Sequence, residues 1–218
     1  MMTNKEIIAA VSAHIESLFE YESTGHDWYH IERVWKNAKQ IQANEGGDLF
    51  VIEIGALLHD IADHKFVENA DVEAENRTRQ LLGSLHVAEE TILAVLHIVL
   101  NCSFKGGIGD NKMKSLEGLI VQDADRLDAI GAIGVARTFA YGGKAGNMIY
   151  DPKVKPTTFK SAEEYRTKRT HTINHFYEKL LLLKEGMNTK KGIELAQQRD
   201  EFMRSFLEQF YGEWEGNR

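Results

Sequence analysis

Apolar side chains recur at three- and four-residue spacing through most of the chain, the signature of helices that bury one face. Thr3-Asn4-Lys5-Glu6 has the form of a capping box, and Ile7, Ile8, Val11, Ile15, Leu18 and Phe19 follow on one stripe. After a break at Gly25, the positions Trp28, Ile31, Val34, Trp35, Ala38 and Ile41 predict a second helix that ends near Gly46-Gly47. Asp48 is a candidate cap for a third helix, running through Ile52 to Leu58. Residues about 70–83 and 87–100 predict a helical pair, and helical character resumes near Ser115, passes Asp125 and continues to Tyr141 despite Gly131 and Gly134. Residues 142–160 form the one long irregular stretch, with Gly142-Gly143, Gly146, Pro152 and Pro156. A capping box at Ser161-Ala162-Glu163-Glu164 opens a helix through Phe176, Leu180 and Leu183, and Thr189 caps a last one whose stripe reaches Trp214.

No segment alternates like a strand, and the chain's only two prolines both lie in the irregular stretch. The expectation is an all-α fold, one helical domain over 1–218 with a core at about 20–140 and carboxy-terminal helices at about 161–214 packed on it. Composition changes this picture little. Hydrophobic residues at 43% and charged residues at 27% are ordinary for a folded protein. The lone Cys102 forms no intrachain disulfide, the amino terminus reaches charge before any apolar run, and no run is long enough to span a membrane, so a cytoplasmic protein is expected. A formal charge of −7 argues against a nucleic-acid polymer as partner, while leaving room for a small phosphorylated ligand held by a few local cations.

Four side chains stand out against this helical background. His30, the adjacent pair His59-Asp60 and Asp125 each lie in or at the end of a predicted helix, where they can converge in a bundle. Two imidazoles and two carboxylates make a mixed nitrogen and oxygen site suited to Mn²⁺, Fe²⁺, Co²⁺, Ni²⁺ or Zn²⁺, with Mg²⁺ less natural because it prefers oxygen ligands. Open positions on such an ion can accept water and a phosphate oxygen.

The ordered pattern His30, His59-Asp60, Asp125, with His-x-x-Arg-Val at the first position and Ala-Asp-Arg-Leu at the last, resembles the HD-domain superfamily of metal-dependent phosphohydrolases. The stretches His26–His30, His59–Phe66, Asp125–Gly134, Phe139–Gly143 and His175–Leu180 resemble its small stand-alone bacterial members. The resemblance implies His30, His59, Asp60 and Asp125 as metal ligands, with Mn²⁺ the favoured ion, and hydrolysis of nucleoside triphosphates, dNTPs included, to monophosphate and pyrophosphate by a metal-activated water. It also implies Asp63 as the carboxylate that activates that water. A related hydrolase branch carries a second acid after this position where this chain has His64, which weakens transfer of that branch's substrate.

Lys65, Arg33, Arg126, Lys144 and Lys179 are candidates for phosphate contact, and His175 is a candidate for the wall of the substrate pocket. Asp27 and Arg126 are candidates for support of the ligands, Asp27 by a hydrogen bond to one of them that competes with a helix-capping role, and Arg126 by tying down Asp123 or Asp27. His171 and His175 share one helical face, where packing or capping competes with metal binding. The aromatic stripe near the carboxy terminus reads as packing surface, and a homodimer contact is its alternative use. Within the same chemistry a nucleoside monophosphatase or cyclic phosphodiesterase remains open, and a nucleotide sensor using 142–160 as a lid is the non-catalytic alternative.

Overall fold

The computed structural model describes residues 2–19, 27–62, 69–102, 112–157 and 170–218, and among them it contains helices and no strands. The helices are α1 (Asn4–Leu18), α2 (Trp28–Glu45), α3 (Leu49–Leu58), α4 (Ala70–Ser84), α5 (Glu89–Asn101), α6 (Leu116–Asp128), α7 (Gly131–Lys144), α8 (Thr172–Glu178), a 3₁₀ helix (Leu180–Gly186) and α9 (Lys190–Trp214). The described residues divide into two compact units, the first ending at Asp125 and the second running from Arg126 to Arg218. No described helix is long and apolar enough to cross a membrane.

Local chemistry sets the helix starts. Thr3 and Glu6 form the reciprocal capping box of α1. The Asp27 carboxylate accepts from the His30 amide at 2.8 Å, and Asp48 accepts from the amides of Phe50 and Val51. In the first unit α3 is the hub, packing against α1, α2 and α5. Every residue from Val51 to Leu58 is buried, and all but Glu53 are apolar or glycine, as suits a central helix. Gly55 permits this closeness, because a Cβ there would lie 2.9 Å from Cδ1 of Ile98 on α5. The one acidic residue on α3, Glu53, accepts from Trp35 Nε1 at 3.0 Å and sits 3.3 Å from Lys39 Nζ, pinning α3 to α2 through polar contacts.

In the second unit α7 packs against α8 and α9, and Phe139, Phe176 and Phe206 meet in its core. Asp128 is buried and bonded to Arg137 at 2.5 Å, while the Arg199 guanidinium donates to the Leu127 carbonyl. Thr189 caps α9 by accepting from the Gly192 amide.

Two expectations need correction. Helical character does not run unbroken from Ser115 to Tyr141: Ile130 is extended and Gly131 has φ +74°, a left-handed conformation that starts a new helix. Periodicity is blind to this break because glycine disturbs no apolar stripe. The irregular stretch also begins later than 142, since Gly142, Gly143 and Lys144 complete the last turn of α7, with Gly142 closely packed on Thr172. The predicted capping box at Ser161–Glu164 lies outside the described residues. Farther on, the predicted helix through Phe176 and Leu183 is α8 followed by the 3₁₀ helix.

Candidate metal centre

α2 presents His30 one turn after its Asp27 cap, α3 ends at His59-Asp60, and α6 carries Asp125. The first unit brings all four side chains together. The two imidazole Nε2 atoms are 3.3 Å apart; Asp60 Oδ2 lies 3.5 Å from each, and Asp125 Oδ1 lies 3.6 Å from His30 and 3.9 Å from His59. His30 and His59 are 1% and 5% exposed, whereas the carboxylate side chains of Asp60 and Asp125 are 13% and 24% exposed. Solvent, and hence a ligand, therefore reaches the cluster from its carboxylate side.

Hydrogen bonding fixes the character of these atoms. His59 Nδ1 donates to the Ala56 carbonyl at 2.8 Å, so in the neutral ring Nε2 carries a lone pair. That lone pair faces Nε2 of a second imidazole and two carboxylate oxygens, the donor atoms that a divalent cation takes. Ligands about 2.1 Å from a divalent ion in a tetrahedral arrangement are about 3.4 Å apart, close to the separations found here. The donor set and its spacing fit a divalent ion, and His30, His59 and Asp60 form a compact cluster that could hold one.

Further groups position the ligands without belonging to the set. Asn37, two turns after His30 on α2, donates to the Ala124 carbonyl at 3.4 Å, beside Asp125. The Glu117 carboxylate accepts from the Asp48 amide, anchoring the start of α6 to the turn before α3. These groups carry no recognisable motif: an asparagine within a helix reads as a solvated side chain. Its spacing of seven from His30, which places it on the same helix face, was the available signal.

Of the other candidates, Asp63 and Lys65 lie outside the described residues. Arg33 is half-buried one turn beyond His30. In the second unit, Lys144 is exposed on the last turn of α7, Arg126 donates to the Gly186 carbonyl, and His175 and Lys179 follow one another by a turn at the end of α8. Burial pushes the His175 imidazole down to about 4, with the Lys179 charge adding to the effect, so the ring is neutral near pH 7. His171 takes the capping role: its Nδ1 accepts from the Asn174 amide at 3.2 Å.

The HD domain family matches this chain over residues 27–130, a span that contains all four clustered side chains. An all-helical chain bearing His30, His59-Asp60 and Asp125 in this order and proximity belongs to the HD-domain superfamily, a class of metal-dependent phosphohydrolases. Among its relatives is YpgQ of Bacillus subtilis, 38% identical over 197 residues that cover 89% of this chain and 87% of YpgQ. A crystal structure of YpgQ in complex with ADP superposes with a TM-score of 0.73 at 34% identity, covering 97% of both chains. An HD-superfamily hydrolase from Bacillus thuringiensis gives a TM-score of 0.77 at 43% identity, covering 98% of this chain and 99% of that one.

Proposed function

We propose that this protein hydrolyses nucleoside triphosphates, dNTPs included, to the monophosphate and pyrophosphate. The observation that carries the reading is the convergence of four lone-pair donors, His30, His59, Asp60 and Asp125, with their more exposed side formed by the carboxylates. The ADP complex of a 34% identical relative supports a nucleotide as the substrate class. His30 and His59 through Nε2, and Asp60 and Asp125 through carboxylate oxygens, are the proposed ligands of a divalent ion, with Mn²⁺ the first choice. Such an ion supplies Lewis acidity towards phosphoryl oxygen and makes water a competent nucleophile near neutral pH.

The chain's own groups do the rest. The Ala56 carbonyl holds the His59 ring in the tautomer that leaves Nε2 free of a proton. Asp63, three residues after Asp60, is the proposed acceptor for the proton that the attacking water loses. As water adds to the α-phosphorus, the α–β bridging oxygen departs with pyrophosphate, and Lys65, Arg33, Lys144 and Lys179 are the proposed cations for the phosphate charge. His175, neutral at pH 7, can serve a phosphate as an N–H donor and not as a charge. The lone cysteine, buried at Cys102, accords with a cytoplasmic setting.

Metal-stripped protein incubated with Mn²⁺ and a panel of canonical and modified nucleotides, with products resolved chromatographically, tests this reading. Monophosphate plus pyrophosphate is the expected outcome. Orthophosphate from monophosphates would replace it with a phosphatase, and binding without turnover would make the protein a sensor. Asp63→Asn should retain most bound metal while turnover falls strongly; undiminished turnover removes Asp63 from the mechanism.

A further inference from the structure

We propose that the Arg126–Arg218 unit contains a second small-molecule site, a cavity that takes a nucleobase-sized planar ring bearing one anionic group. Its volume is about 260 Å³, and residues 150–156, α8 and α9 all contribute to its lining.

The walls are fixed before any ligand arrives. The amides of Thr172 and Ile173 donate to the carbonyls of Met148 and Ile149 at 2.9 and 3.0 Å, and the Thr157 amide donates to Glu178 Oε1 at 3.0 Å. The Val154 carbonyl accepts twice, from His171 Nε2 at 3.0 Å and from Asn174 Nδ2 at 3.3 Å. Because His171 Nδ1 already accepts from the Asn174 amide, its proton is on Nε2, as the bond to Val154 requires. Both prolines of the chain, Pro152 and Pro156, line the cavity and restrict the segment between them. A connection tied down this way is a wall and not a lid, and it loses little conformational entropy when a ligand binds.

The lining has the character of a ring-binding site. Tyr150 lies edge-to-face with His171, Phe210, Tyr211 and Trp214, at centroid distances of 5.1, 5.8, 5.5 and 5.0 Å, which hold its ring in place. Tyr177 and Tyr211 complete the aromatic lining and are hydrogen-bonded to each other; burial raises the Tyr211 phenol well above its ordinary range, so it remains an O–H group. Asn174, 2% exposed, also lines the cavity, with its Nδ2 holding the Val154 carbonyl. Lys155, exposed, is the one charged residue of the lining.

Phenolic and amide groups with one ammonium among the described lining residues suit a planar ring with a polar edge and one negative substituent. Ligand pockets more often span about 300–1,000 Å³, so this smaller cavity has no room for a nucleoside triphosphate. None of His30, His59, Asp60 and Asp125 lines it, so the proposal does not rest on the hydrolase reading.

Calorimetric titration of AMP into the full-length, chelator-treated protein tests the proposal, with adenosine and inorganic phosphate as the separate ring and anion probes. AMP should bind, adenosine should bind at least about tenfold more weakly, and Lys155→Glu should weaken AMP by a similar factor. Lys155 is exposed, so this variant keeps the fold, and Tyr177→Phe, which removes one donor without removing the ring, should weaken AMP about threefold or more. No AMP binding up to about 10 mM, or binding indifferent to both substitutions, would overturn the proposal.

Discussion

The carboxylates of the metal cluster in the first unit and the buried carboxylates of the second meet different partners. In the second, each deeply buried carboxylate meets cations: Asp128 is bonded to Arg137, and Asp200, 1% exposed, lies between Lys184 Nζ at 3.3 Å and Arg204 Nε at 2.8 Å. In the first, the Asp60 and Asp125 carboxylates face imidazole nitrogens, one of them held with its lone pair towards them. Asp200 and its partners already balance one another, and the group contributes rigidity. The first unit instead sets two carboxylates against two imidazoles, the donor set of a metal site, and that difference separates a binding site from a structural ion pair more sharply than the number of acidic residues does.

The largest expected effect comes from breaking the imidazole–carboxylate cluster. Asp60→Asn or His30→Ala should lower metal content and Mn²⁺-dependent turnover together by more than about 100-fold, since loss of groups that merely support ligands already costs 10- to 100-fold. An active, metal-free Asp60→Asn protein would sink the assignment.

A pH titration of stability follows. His175 has a folded-state value of about 4 against an ordinary 6.5, so the unfolded chain takes up its proton first. Stability is fully present above about pH 6.5 and is lost as pH falls towards 4, by at most about 3 kcal/mol at 1.36 kcal/mol per unit. Urea unfolding in chelator should show this slope in the wild type and a flatter profile in His175→Gln.

On the balanced side, Asp200→Ala removes hydrogen bonds to charged partners and should destabilise the fold by about 2 kcal/mol while metal content stays unchanged. The smallest effect is expected for Asp27→Ala, which removes the cap of α2 at a cost of about 1 kcal/mol and loosens the turn that carries His30. Calorimetric unfolding with metal titration should therefore find a modest loss in both stability and affinity.

Much of this comparison is legible along the chain. Thr3, Asp27, Asp48 and Thr189 cap their helices as local spacing predicts, and the ligand candidates are recognisable because order and neighbouring residues identify them without distances. What escapes is chemistry made by long-range meeting. The bond from Trp35 to Glu53 and that from Asn37 to Ala124 join residues 18 and 87 positions apart, and no periodicity encodes them. The same holds for Tyr150, whose ring neighbours lie on α9. The stretch after Lys144 reads as a loose loop from its glycines and prolines, whereas acceptors and donors on α8 fasten it.

The burial of α3 on every side has a consequence for motion. Its backbone amides can meet deuterium only when the neighbouring helices separate, so this segment should open last and at a free energy near that of global unfolding. His59-Asp60 hangs from the end of that slowest segment, and partial openings that keep α1, α2 and α5 packed on α3 leave the pair's anchorage in place.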